Sequence, residues 1–225
     1  MRRAMFVAMV VGLVVAVAAP AGARDVSNSS ESMVQMQGYW GSYDDSTGAW
    51  MDASIYVTEY SNETWIDYYK SSYTPITCEG DVPGTLVEYI SGSGPATLEG
   101  SRTYTAGFAS GTGLFGWMDS YTECWYGEEI IVPENGDPNG GHEVTLDLTV
   151  QFTSTSPLIR EKGSGSFKIP GETNSHYSYS SVYRSGDVAG EVVVHMVDGP
   201  ETLVEAFAGG GSFGKATWRS HSNSK

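Results

Sequence analysis

The most regular segment of this chain is EVTLDLTVQF, residues 143–152. Polar residues alternate there with the apolar residues Val144, Leu146, Leu148, Val150 and Phe152. A period of two residues is typical of a β-strand that has one face on a hydrophobic core and the other in water. The segment therefore predicts an antiparallel sheet with one buried face.

Shorter runs of the same kind recur from residue 38 onward. They are rich in Tyr, Trp, Val, Ile and Thr, and turns rich in Gly, Ser, Asp and Pro separate them. We expect about ten short strands, a number and spacing typical of a β-sandwich or jelly roll. One stretch, residues 198–209, instead has a capping box at Asp198 and Glu201 and apolar residues at helical spacing. The predicted fold is all-β and antiparallel, with one short helix at residues 198–209.

The N-terminal residues have the features of an export signal. Arg2 and Arg3 precede an apolar run over residues 6–19, and small residues follow at 21–23. This order predicts a signal peptide over residues 1–23 and therefore a secreted, extracellular protein. Residues 24–37 are polar and serine-rich and are expected to form a flexible lead-in, and residues 38–225 a single domain. No apolar tail follows Trp218, so no stable membrane anchor is expected.

The net charge of the chain indicates which kinds of partner it can bind. The chain has 27 acidic and 12 basic residues, a formal net charge of −15. An acidic surface repels phosphate backbones, so nucleic acid is not expected as a partner, and a neutral or cationic ligand or surface is favoured.

The two cysteines, Cys78 and Cys124, predict a disulfide, because an even pair in an exported protein is normally oxidised.

Aromatic residues are the main candidates for a binding site. Five of the six tryptophans lie between residues 40 and 125, among many tyrosines. Exposed flat rings beside polar groups are typical of sugar-binding surfaces, although a small β-protein also buries aromatic rings in its core. The candidate ligand-binding residues are Trp65, Trp117 and Trp125.

No metal site or cofactor is expected from the pattern of potential ligands. The histidines are scattered, and no two have the close spacing that places two ligands on one face of an element. The four positions are His142, His176, His195 and His221.

Two resemblances add expectations. The run Thr85-Leu-Val-Glu88-Tyr89-Ile90 resembles the nucleophile strand of the small jelly-roll xylanases, which implies Glu88 as a catalytic carboxylate; that family's second tyrosine is absent here. The C-terminal part is similar to a group of uncharacterised secreted bacterial proteins. The shared motifs are Val-x-Leu-x-Leu-Thr within residues 143–152, Pro157-Leu-Ile-Arg160 and Ala189-Gly190-Glu191-Val192-Val193. This second resemblance implies an all-β extracellular architecture and no assigned chemistry.

The sequence therefore predicts a secreted, non-catalytic extracellular β-sandwich protein that acts as a binding module for an unidentified ligand or surface. Two alternatives stay open. One is a carbohydrate-binding protein or glycoside hydrolase that uses the Trp- and Tyr-rich first half. The other is an envelope or filament subunit that pairs through an open strand edge, with the polar lead-in as a donated strand.

Overall fold

The structure of the chain is a computed structural model. It describes residues 26–126, 129–131, 141–169, 173–197 and 202–224, so the predicted signal peptide over residues 1–23 lies outside the described residues. The strands are β1 (Val26–Tyr43), β2 (Trp50–Tyr60), β3 (Glu63–Cys78), β4 (Val82–Pro95), β5 (Thr97–Gly100), β6 (Ala106–Tyr126), β7 (Glu129–Ile131), β8 (His142–Ser154), β9 (Ile159–Ile169), β10 (Thr173–Met196) and β11 (Thr202–Ser224). The predicted all-β class is confirmed.

The strands form one sheet that closes on itself. Its order is β11-β1-β2-β3-β4-β6-β8-β10, and β10 also pairs with β11, so eight antiparallel strands complete a ring. The three short or peripheral strands β5, β7 and β9 pair with β6 or β10 at the margins. The arrangement is thus a closed barrel, where the sequence predicted two facing sheets. Within the barrel, closure gives each of the eight strands a hydrogen-bonded neighbour on both sides, which protects the backbone edges.

The barrel interior is the hydrophobic core. The alternation predicted for residues 143–152 is present in β8, where the five apolar side chains are at most 1% exposed. Their polar neighbours Thr149, Gln151 and Thr153 are exposed on the outside. The other strands contribute their own inward-facing side chains, among them Met36, Ile55, Val57, Ile66, Leu114, Val188, Val192 and Phe213.

The predicted short helix is wrong for the described part of residues 198–209. Residues from Thr202 onward belong to β11, which pairs with β10 from His195–Thr202 to Thr173–Ser224. Phe207 is 7% exposed in the core, whereas Leu203 and Val204 are exposed. The ladder with β10 and the burial of Phe207 outweigh the helical spacing of the apolar residues. No helix long and apolar enough to cross a membrane occurs in the described residues.

The expected flexible lead-in is also corrected. Residues 26–37 form most of β1, which pairs with β11 over residues 26–39 and with β2 over residues 33–43. The segment is polar because much of it lies beyond the core, but its backbone is hydrogen-bonded within the sheet. Hydrogen bonds of the backbone hold this segment in the sheet. The side-chain pattern gives little indication of such pairing.

Groups of strands extend beyond the barrel at each end. At one end β3, β4 and β6 continue past the core, and a disulfide joins Cys78 to Cys124 with a Cα–Cα distance of 6.1 Å, as predicted. We call this the disulfide end. At the other end β1, β11, β10 and β9 continue as a four-stranded sheet that carries both chain termini of the described region. We call this the terminal end.

Candidate functional site

Six aromatic residues share the outer surface of the barrel on β2, β3, β4 and β6. We call this surface the aromatic face; it consists of Trp50, Tyr69, Tyr73, Tyr89, Trp117 and Tyr121. Alternate residues of a strand point to the same side, so these residues lie outward where their immediate neighbours point into the barrel. The sheet register then brings together residues that are far apart in the sequence.

The register places the rings in rows across the sheet. Trp50 lies opposite Tyr73, and Val87 lies between Tyr73 and Tyr121. Two rows away, Ser91 lies between Tyr69 and Trp117. The aromatic face spans three interstrand spacings across the sheet and four residues along a strand. Its dimensions are therefore about 14 by 13 Å.

The rings are accessible and partly fixed in orientation. Trp50, Tyr69 and Trp117 are 43%, 42% and 38% exposed. Trp50 stacks on Tyr73 with ring centroids 3.8 Å apart and planes within 8° of parallel. An exposed cluster of large aromatic rings is characteristic of an interaction site.

Carboxylates and hydroxyls lie between the rings. Asp52 accepts a hydrogen bond from Ser71 Oγ at 2.9 Å, and Tyr89 Oη donates to Asp119 Oδ2 at 3.3 Å. Burial raises the pKa of Tyr89, and the Asp119 carboxylate raises it further. Burial also raises the pKa of Tyr121. Both phenols therefore stay protonated at neutral pH and can donate hydrogen bonds.

The three tryptophans predicted from the sequence are all exposed, but only one belongs to the aromatic face. Trp117 lies within it, whereas Trp65 is four residues along β3 from Tyr69, about 13 Å away. Trp125 is eight residues along β6 from Trp117, or about 27 Å. The sequence prediction missed five members: Trp50, Tyr69, Tyr73, Tyr89 and Tyr121. The outward parity of Tyr69 and Tyr73 beside the inward Ile66 and Tyr68 was the available signal.

Glu88 faces the opposite side of the sheet. It lines a cavity of 280 Å³ in the barrel opening at the disulfide end, together with Lys70, Ser72, Ile90 and Met118. Ser72 Oγ lies 3.4 Å from Glu88 Oε2.

A second carboxylate, Glu205 of β11, lies close to this opening. It forms an ion pair with Lys70, which also lines the cavity, and its Oε2 atom is buried without a hydrogen-bond partner. This carboxylate is therefore already paired with a cation of the same opening. Catalysis by Glu88 stays a prediction.

The histidines are less scattered in the fold than in the sequence. His176 of β10 and His221 of β11 lie directly opposite each other at the terminal end, although 45 positions separate them. His195 Nε2 lies 3.2 Å from Asp147 Oδ2 on the outside of the barrel. Among the described residues, no three metal-ligating side chains form a group that could hold an ion.

Comparisons with known proteins find little that is similar. No family model matches the chain, and no curated protein matches it. Among solved structures, the chain is matched to the beta domain of the Bordetella autotransporter BrkA, with 7% sequence identity and a TM-score of 0.26. That alignment covers 87% of this chain and 99% of the other.

Proposed function

We propose that the chain is an exported, non-catalytic binding protein that recognises neutral carbohydrate through the aromatic face. The observation that carries this proposal is the exposed arrangement of Trp50, Tyr69 and Trp117 around the carboxylates Asp52 and Asp119. The disulfide between Cys78 and Cys124 supports the export part, because such bonds persist in oxidising compartments.

The chemistry of the aromatic face suits a sugar. The C–H faces of a pyranose ring pack on flat aromatic rings, while its hydroxyls need donors and acceptors close by. The Tyr121 phenol supplies a donor, and the Asp52 and Asp119 carboxylates supply acceptors. A surface of about 14 by 13 Å is large enough for a short oligosaccharide.

Hydrolysis has weaker support than binding. Glu88 and Tyr89 are successive residues of β4, so their side chains point to opposite sides of the sheet. A sugar on the aromatic face is therefore separated from Glu88 by the barrel wall. A non-catalytic role follows more directly from this geometry.

Assembly through a strand edge also has weaker support. The segment expected as a donated strand is paired within this chain's own sheet as part of β1. The peripheral strand β9 carries Arg160, Lys162 and Lys168, and charged side chains on an edge strand disfavour pairing with another chain.

A glycan array tests the proposal. The purified protein should bind neutral oligosaccharides, and the double variant Tyr69→Ala/Trp117→Ala should lose these signals while Trp125→Ala keeps them. Trp125 is an exposed tryptophan outside the aromatic face, so it controls for general loss of aromatic surface. No neutral glycan bound by the wild-type protein, or equal losses in both variants, would overturn the proposal.

A further inference from the structure

The sheet at the terminal end separates its charges by face. On β11, Phe213 points into the core, and Lys215 and Arg219 follow at even spacing, so they lie on the same side as the core. Arg160 and Lys162 of β9 join that side through their cross-strand partners Val182 and Ser180. We call this side the basic face; its cations are Arg160, Lys162, Lys168, Lys215 and Arg219.

The acidic residues of the same strand segments lie on the other face. They are Glu31 and Glu161, and Glu161 Oε1 accepts a hydrogen bond from Tyr183 Oη at 3.0 Å there. All five cations of the basic face are exposed, and no carboxylate among the described residues forms an ion pair with them. In a chain of net charge −15, the basic face is a local region of opposite sign.

A groove of 780 Å³ crosses the basic face, within the size range of ligand sites. Its floor carries a row of directly opposed residues, Asn28, His221, His176 and Ser166, on four neighbouring strands. His221 Nδ1 and Asn28 Oδ1 are 2.7 Å apart.

The next row of the groove adds Ser30, Arg219, Ser178 and Ser164. The groove thus combines one guanidinium and two imidazoles with hydroxyl and amide groups. A guanidinium binds an oxyanion with two parallel hydrogen bonds, and hydroxyls exchange hydrogen bonds with other hydroxyls.

The lining also has no phenylalanine, tyrosine or tryptophan ring on this face. The Tyr177 ring lies over Gly165 on the opposite face, so only the backbone of Tyr177 borders the groove. Binding of single-stranded nucleic acid depends on aromatic stacking, and insertion into a lipid surface depends on exposed apolar side chains. The positive charges and hydroxyl groups of the groove instead suit a sugar that carries negative groups.

We infer that the groove of the basic face binds an acidic saccharide, a sugar chain whose rings carry carboxylate or sulfate groups. Arg219 holds the oxyanion, and the serines and Asn28 bond the sugar hydroxyls. The neighbouring cations Lys162 and Lys215 attract the further charges of the chain. This site differs from the aromatic face in position and in ligand charge, and it does not depend on the proposed function.

Titration with defined oligosaccharides tests this inference. The probes are a heparin oligosaccharide for sulfate, a polygalacturonate oligosaccharide for carboxylate and a dextran oligosaccharide as the neutral control. The variant Arg219→Gln should bind the acidic probe at least about tenfold more weakly, since it loses a charge-assisted hydrogen bond. Arg102→Gln removes an equal, exposed charge outside the basic face and should change the affinity less than about twofold.

Several outcomes would overturn the assignment. They are failure of the wild-type protein to bind either acidic probe, equal affinity for dextran, and equal weakening by the two variants. If oligo(dT) or phosphatidylglycerol vesicles bind more tightly than both acidic probes, and Arg219→Gln weakens that binding, the groove is assigned to nucleic acid or lipid instead. The ring proton resonances of His176 and His221 should shift on binding of the acidic probe, which gives a second readout. Trp117→Ala should leave this binding unchanged, so failure of one proposal is distinguishable from failure of the other.

Discussion

The indole of Trp50 stacks on the phenol ring of Tyr73 across the β2–β3 ladder, with their centroids 3.8 Å apart. Each ring restricts the other, so the indole is held in place before any ligand arrives. Fixing a side chain in advance removes an ordering cost of about 0.5–1.5 kcal/mol from binding.

The variant Tyr73→Leu tests the value of this stack. It should lower the affinity for a neutral oligosaccharide about two- to tenfold, because the freed indole must then be ordered on binding. Calorimetric titration measures the change. Tyr60→Leu removes an exposed tyrosine at the far end of β2 and should leave the affinity unchanged. Equal affinity of the Tyr73→Leu variant and the wild-type protein would show that the stack does not prepare the site.

The disulfide should contribute strongly to stability. Cys78 and Cys124 are separated by 46 positions, and closing a loop of that length stabilises the folded state by about 4 kcal/mol in the chain-entropy model. Urea denaturation of the Cys78→Ser/Cys124→Ser variant should therefore show a lower midpoint than that of the oxidised protein. Identical midpoints would contradict this role.

Gly84 is predicted to be necessary for the disulfide to form. A Cβ atom at this position would meet Cys78 Sγ and the carbonyl oxygen of Glu123. Gly84→Ala should therefore strain the bridge, and thiol titration of the unfolded variant should detect free cysteines. A fully oxidised variant of unchanged stability would show that the strands shift to accommodate the methyl group.

The alternation in β8 predicts a contrast between two phenylalanines. Phe152 is 1% exposed and packs edge-on against Phe213, whereas Phe167 of β9 is 59% exposed. Phe152→Ala should lower the free energy of unfolding by about 3–5 kcal/mol through lost burial and a residual cavity. Phe167→Ala should change it by less than about 0.5 kcal/mol. Chemical denaturation measures both; similar losses would contradict the assignment of the core to the barrel interior.

The turn between β1 and β2 predicts an acid-sensitive carboxylate. Hydrogen bonds from the Ser46 hydroxyl and backbone, and from the Thr47 hydroxyl, lower the pKa of Asp44 from 3.8 to about 2. The folded state therefore favours the charged form. This contribution to stability is present above pH 3.8 and is lost as the pH falls towards 2.

A carboxyl-carbon NMR titration of Asp44 should therefore show a midpoint close to 2. The variant Ser46→Ala/Thr47→Ala should move the midpoint up towards 3.8, because it removes both hydroxyl donors. A midpoint that is equal in the two proteins would contradict the turn geometry.

The sequence predicts the strands best where they line the core. The strand predicted over residues 143–152 is confirmed, because the barrel interior requires an apolar side chain at every second position there. Residues 175–184 and 188–196 belong to one long strand, β10, which continues through Gly186. A glycine is tolerated there because its α-carbon lies against the Thr153 carbonyl of β8, where a Cβ has no space. Such close approach depends on the neighbouring strand and has no local pattern.

Closure and the candidate sites depend on contacts between distant residues. Pairing of β1 with β11 joins residues nearly two hundred positions apart, and short-range patterns do not encode it. Trp117 was predicted individually, but its neighbour Tyr69 is set by the register of β3, β4 and β6. The basic face is likewise hidden in the overall acidic charge, because strand alternation separates Arg160 and Lys162 from Glu161.

The most direct test of carbohydrate binding by the aromatic face uses the indole N–H resonances of the six tryptophans. Titration with a neutral oligosaccharide that binds on the array should shift the signals of Trp50 and Trp117. The signal of Trp40, which stacks on Phe207 at 4.2 Å on the inner side, and that of the distant Trp125 should stay in place. Shifts confined to Trp125 or Trp65, or no shifts at saturating sugar, would contradict the proposed binding surface.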